Sequence, residues 1–121
     1  MVKMIVSVYV DGSGGNDSGY GFFVKETGES FYEKKAGITN NEAEYLAIIA
    51  ALKKFVDSNE EITIYSDSKN TVSQLNHDFA INKEELRTFA REAWALIAKF
   101  SKLKLRWIPR NENLAGKMLG S

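Results

Sequence analysis

Cysteine is absent from this 121-residue chain. That excludes disulfides and thiolate metal sites and suits a reducing compartment. Proline occurs once, at Pro109, and histidine once, at His77; no proline-rich linker, repeat or low-complexity tract interrupts the chain. No apolar run is long enough to span a membrane. The run Met4–Val10 is far too short for that, and it lacks the cleavage pattern of a signal peptide. A cytoplasmic protein is the expectation, with no membrane partner. Nor is there an excess of either charge, with 16 lysines and arginines against 16 acids. A zero balance argues weakly against nucleic-acid binding.

What is present fits one soluble globular domain over residues 1–121. Apolar residues make up 44% and charged residues 26%, ordinary values for such a domain. A chain this long buries about two thirds of its unfolded surface. The charge is unevenly spread. Residues 99–117 carry Lys99, Lys102, Lys104, Arg106, Arg110 and Lys117 against Glu112 alone, so this stretch is strongly basic and the remainder acidic. Such a division suits a polyanionic partner; a solvated helix end and an edge strand guarded by lysines would look the same.

Met4–Val10 reads as a strand and Asp11–Ser18 as a glycine-rich turn. Tyr20–Lys25 and Glu29–Ala36 follow as strands joined through Thr27-Gly28. Thr39-x-x-Glu42 has the form of a capping box, opening a helix that runs to about Asp57. Glu61–Ser66 is a fourth strand, and Ser68 to Leu75 a short helix. Asn82 caps a long helix to about Phe100, in which Leu86, Phe89, Ala90, Ala93, Trp94 and Ile97 keep three-and-four spacing. Leu103–Ile108 is a fifth strand, and Asn113–Leu119 a closing helix. The order β-β-β-α-β-α-α-β-α predicts a mixed α/β fold with a five-stranded mixed sheet and helices on its faces. A monomer is expected.

Three stretches each hold a carboxylate in an unusual setting. They are Tyr9-Val10-Asp11-Gly12-Ser13, Thr39-Asn40-Asn41-Glu42-Ala43-Glu44 and Ile64-Tyr65-Ser66-Asp67-Ser68. Each acid alone has a structural explanation: Asp11 as a turn residue, Glu44 as a surface acid, Asp67 or Ser68 as a helix N-cap. If the two strands are neighbours and the helix packs on them, the three acids meet. Carboxylates that close repel, and a hard divalent cation is the usual remedy. That arrangement points to a metal-dependent hydrolase of phosphate esters. Glycines 12, 14, 15 and 19 would let a ligand backbone approach closely. They match neither a dinucleotide-binding nor a phosphate-binding loop. A calcium loop fails because Phe22 stands where its final glutamate belongs. His77 reads as an exposed loop histidine, and Trp107 as core ahead of a stacking platform.

Taken in register, these motifs resemble the type 1 ribonuclease H family over nearly the whole chain. They include the Asp11-Gly12-Ser13 strand end, the Thr39-Asn40-Asn41-x-x-Glu44 helix start and the Ser66-Asp67-Ser68 strand end. Trp107-Ile108-Pro109-Arg110-x-x-Asn113 matches less sharply. The resemblance implies an endonuclease that cuts the RNA strand of RNA–DNA hybrids and leaves 3′-hydroxyl and 5′-phosphate ends. It implies catalytic, metal-holding roles for Asp11, Glu44 and Asp67 with Mg²⁺ or Mn²⁺, by a two-ion mechanism in which Asp11 bridges the ions. It also implies substrate contacts by Ser13, Gly14, Gly15 and Asn16, by Thr39, Asn40 and Asn41, and by Ser68, Arg110 and Asn113.

Three family features are missing. A fourth carboxylate is usual four residues after the asparagine matched by Asn113, and Lys117 stands there. The second ion is therefore expected to be held weakly, and a catalytically weakened or inactive hybrid-binding module is the alternative. A histidine often found after the last strand falls in register near Trp107. The basic insertion between the middle helices of some members is absent too, so hybrid binding should be weak and salt-sensitive.

Overall fold

The computed structural model describes residues 4–118, the last two by their backbone alone. The expected element order is observed, with one short 3₁₀ turn added near the end. Strands β1 (Ile5–Ser13), β2 (Gly19–Val24), β3 (Ser30–Lys34), β4 (Glu61–Ser66) and β5 (Leu103–Trp107) form one sheet in the order β3-β2-β1-β4-β5. β1 pairs antiparallel with β2 and parallel with β4, and β4 is parallel to β5. The sheet is mixed, as expected.

Alternation along the central strands decides which face is covered. Val6, Val8 and Val10 of β1 lie beside Ile62, Ile64 and Ser66 of β4, and all six are buried. Side chains on a strand alternate between faces, so this row forms one wall of the core. Helix α1 (Asn40–Phe55) supplies the facing wall with Ala43, Ala47, Ile48, Ala51 and Leu52. It packs between the sheet and α3 (Glu84–Ile97), which explains why its sequence is apolar around most of its circumference. Its start is fixed as read: Thr39 Oγ1 accepts from Glu42 N at 3.1 Å, and Glu42 Oε1 accepts from Thr39 N at 2.9 Å. A capping box of this kind stabilises a helix by about 1 kcal/mol.

Several boundaries differ from expectation. β1 runs on to Ser13 because Asp11, Gly12 and Ser13 pair with Gly21, Tyr20 and Gly19. Asp11 is therefore within a strand, and the turn shrinks to residues 14–18. Long-range antiparallel pairing, invisible in a local pattern, makes the difference. α3 begins at Glu84 after Lys83 rather than at Asn82 and ends at Ile97. Helix α2 (Lys69–Leu75) has Ser68 as its N-cap. The closing helix α4 covers Leu114–Met118; the expected Leu119 lies outside the described residues.

Candidate active site

Three different elements deliver the three carboxylates. Asp11 lies on β1, Glu44 in the second turn of α1, and Asp67 directly after β4. Because β1 and β4 are parallel neighbours with Val10 beside Ser66, Asp11 and Asp67 follow at the same end of adjacent strands. One carboxylate oxygen from each of Asp11, Glu44 and Asp67 lies within 4.8 Å of the others. Asp11 and Glu44 are buried, at 8% and 6% exposure, and Asp67 is half-buried. The structural alternative for Asp67 falls away, since the cap of α2 is Ser68, whose Oγ accepts from Thr71 N at 3.4 Å.

Glu44 reaches the cluster because α1 runs unusually close to β1. A β-carbon added to Gly12 would sit 2.5 Å from the backbone of Ala43, and one on Gly14 2.4 Å from that of Thr39. These glycines admit the chain's own helix, not a ligand backbone as their spacing suggested. The approach lets Gly12 N donate to Glu44 Oε1 at 2.6 Å. Burial pushes the Glu44 carboxyl up to about 8, and the negative charges of Asp11 and Asp67 push the same way. The Gly12 hydrogen bond and the Arg110 cation offset part of this. A glutamic acid held that far above its ordinary range marks a place where negative charge is crowded and dry.

A second layer holds the cluster in place. Asn113 is fully buried; its Nδ2 donates to Val10 O at 2.9 Å and to Asp67 Oδ2 at 3.0 Å. Its Oδ1 accepts from Ala115 N at 3.0 Å, starting α4. Asn113 was expected to touch substrate, and this is corrected: it has no accessible surface and both ends of its amide are engaged, so it positions Asp67. Ser66, fully buried, accepts from Ser68 N through Oγ at 3.1 Å. Trp107, expected in the core, is 46% exposed. As the last residue of the edge strand β5 it has no further strand to cover it, and its Nε1 donates to Asp67 O at 3.1 Å.

The remaining expected residues surround this centre. Ser13 is exposed at the end of β1, and on the loop that follows it Gly15 and Asn16 are exposed and Gly14 half-buried. Gly14 N donates to Asn40 Oδ1 at 2.6 Å and Gly15 N to Ile38 O at 3.1 Å, tying that loop to the start of α1. Thr39 and Asn40 are exposed, and Asn41 is half-buried. All three line a cleft of about 650 Å³ that also takes in Glu42, Lys83, Glu85 and Leu86. Arg110 is exposed in the 3₁₀ turn Arg110–Glu112. His77 is exposed and stacks on Trp94, ring centroids 4.8 Å apart. Lys117 belongs to α4, and its side chain lies outside the described residues.

The model of the reverse transcriptase-like family matches residues 24–120. The chain belongs to this family. Its ribonuclease H-like fold is shared with solved ribonuclease H domains, as expected. The ribonuclease H1 of Halobacterium salinarum superposes with a TM-score of 0.85 at 29% identity, over 96% of this chain and 94% of that one. The N-terminal ribonuclease H domain of a Mycobacterium tuberculosis protein gives 0.83 at 28% identity, over 92% and 86%. Among curated proteins, a putative hydrolase of Enterococcus faecalis is 28% identical over 98% of this chain and 90% of its own length. A bifunctional protein of M. tuberculosis is 34% identical over 84% of this chain. The match spans only 30% of that longer protein.

Asn113 and Trp107 are both named from the sequence, but local reasoning missed that they hold Asp67. Asn113 gave one signal, an asparagine just before a helix, where it caps. For Trp107 nothing local distinguishes a core indole from one exposed at a sheet edge.

Proposed function

We propose that this chain is a metal-dependent nuclease that hydrolyses the RNA strand of RNA–DNA hybrids, leaving 3′-hydroxyl and 5′-phosphate ends. The observation that carries the reading is the meeting of Asp11, Glu44 and Asp67 within 4.8 Å. Three oxygen donors crowded enough to hold Glu44 protonated near neutral pH fit a hard divalent cation such as Mg²⁺ or Mn²⁺. Asp11, Glu44 and Asp67 would hold the ions of a two-ion site. When bound, such ions activate a water and stabilise the leaving oxygen of an in-line phosphoryl displacement.

The chain's own groups account for the rest. Asn113 and the Gly12 N–H keep two of the carboxylates aimed at one point, so little reorganisation is needed on binding. Water attacks the phosphorus, the bond from phosphorus to the 3′ oxygen breaks, and that oxygen leaves as a hydroxyl after taking a proton. Arg110, close enough to lower the Glu44 carboxyl, supplies positive charge beside the phosphate. The end of β1 at Ser13 and the loop residues 14–16, together with Asn40 and Asn41, offer amide and backbone groups suited to ribose 2′-hydroxyls, the feature that separates RNA from DNA. The cleft at Thr39 lies at the N-terminus of α1 and is edged by Lys83 as well as by Glu42 and Glu85; a phosphate of the second strand would sit on its Thr39 side, at the helix end and away from those acids. The protein acts as a monomer in the cytoplasm. Lys117, in place of a fourth acid, leaves the second ion weakly held.

End-labelled RNA–DNA hybrid, duplex RNA and duplex DNA should be incubated side by side, and the product ends mapped. Cutting of the hybrid's RNA strand alone, with 5′-phosphate products, is the expected result. Hybrid binding without cutting in either metal would convert the reading to a non-catalytic binding module.

A further inference from the structure

Six large apolar side chains are strongly exposed among the described residues: Met4, Ile5, Phe31, Tyr32, Phe79 and Trp107. Trp107 differs from the others in being bonded to the candidate centre. Its indole N–H, instead of facing water, donates to the main-chain oxygen of Asp67 at 3.1 Å. Asp67 is thus held at two points, its carbonyl by Trp107 and its carboxylate Oδ2 by Asn113. Such outer contacts fix a metal ligand's direction. The ring is nearly half exposed, and the Lys69 ammonium stands over it, Nζ 6.0 Å from its centroid. Lys69 is itself exposed on the first turn of α2. An exposed aromatic plate with a cation over it therefore borders the carboxylates; when the exposed Lys69 swings onto a phosphate it uncovers the plate for the attached sugar.

We propose that Trp107 is a positioning residue that sets Asp67 through its indole N–H. Its exposed face seats a ribose of the substrate strand next to the cleaved phosphate, with the neighbouring phosphate on Lys69. The proposal builds on the nuclease reading above and adds to it a specific edge of the site. It separates two roles that different substitutions remove. Trp107→Phe keeps the plate and loses the N–H; Trp107→Ala loses both.

Mn²⁺ affinity should be measured calorimetrically without nucleic acid, and KM for a short RNA–DNA hybrid separately. Trp107→Phe is expected to weaken Mn²⁺ binding by about tenfold, as removal of an outer-shell partner does, while KM stays within about twofold. Trp107→Ala is expected to show the same metal loss and a further rise in KM of about tenfold, the size of a lost aromatic anchor. Unchanged Mn²⁺ affinity in Trp107→Phe overturns the positioning role, and unchanged KM in Trp107→Ala overturns the seat. A second measurement avoids reliance on either variant. The chain has two tryptophans, so in Trp94→Phe all indole emission comes from Trp107. Adding hybrid in EDTA should shield that emission from iodide, and an unshielded Trp107 overturns the seat. Wild-type protein that cuts hybrid while both Trp107 variants match it overturns this inference alone. Wild-type protein that neither binds Mn²⁺ nor cuts hybrid overturns it together with the nuclease reading.

Discussion

Replacing Glu44 by glutamine should stabilise the metal-free protein, and by an amount that depends on pH. The carboxyl of Glu44 is pushed from 4.5 to about 8 by burial and by the charges of Asp11 and Asp67. A raised folded value means that the folded state binds the proton more tightly than the unfolded chain. The resulting stability is fully present below pH 4.5 and is lost as pH rises through about 8. A shift of that size corresponds to about 5 kcal/mol between the two limits, at about 1.4 kcal/mol per pH unit. Glutamine keeps the shape and the acceptor for Gly12 N and cannot ionise. In EDTA, urea unfolding at pH 5 should therefore give wild type and Glu44→Gln nearly equal stabilities, whereas at pH 9 the variant should be ahead by about 3–5 kcal/mol. With Mg²⁺ present the order should reverse at high pH, because only wild type gains the ion's binding energy. A stability difference that is the same at pH 5 and pH 9 would refute the reasoning.

Four further outcomes follow from the same geometry. Because Glu44 must give up its proton, Mn²⁺ binding at pH 6.5 should release about one proton, measurable by calorimetry in buffers of different ionisation heat; no buffer dependence is the contrary result. Asn113→Ala removes three hydrogen bonds, two of them buried, and should cost about 3 kcal/mol in denaturant unfolding, with weaker metal binding, whereas a surface residue would cost almost nothing. Gly12→Ala places a methyl 2.5 Å from the backbone of Ala43. No flexible side chain is there to yield, so a loss of about 3 kcal/mol and a disturbed Glu44 are expected from thermal unfolding and metal titration. Lys117→Asp should raise Mg²⁺-supported cleavage and narrow the advantage of Mn²⁺; unchanged metal dependence would place residue 117 away from the ions.

Much of this site was legible because its parts obey local rules. Residues 61–66 read as a strand from their apolar run and form β4 over that same span. The reciprocal side-chain bonds of Thr39 and Glu42 start α1 where the capping pattern put it. With those two elements placed, Glu44 and Asp67 meet Asp11 once β1 and β4 pair as parallel neighbours and α1 packs on them. What stayed hidden depends on partners far away in the chain. The strand beyond Val10 exists because Gly19–Gly21 pair with it. The glycines at 12 and 14 look like a ligand's cradle until α1 is seen against them. Asn113 reaches Val10 across 103 positions of sequence, a separation no motif spans. Asn82 has the residue type of a cap, yet the helix begins after Lys83, which makes no side-chain cap bond.

The central claim is that Asp11, Glu44 and Asp67 together form a metal-dependent centre for cutting hybrids. Its most direct measurement is cleavage of one end-labelled RNA–DNA hybrid by wild type, Glu44→Gln and Asp67→Asn, first in EDTA and then with Mg²⁺ or Mn²⁺ restored. Cleavage by wild type alone, absent in EDTA and recovered with the ion, is the predicted result. Cleavage that survives in EDTA, or in either variant at the wild-type rate, would contradict the account.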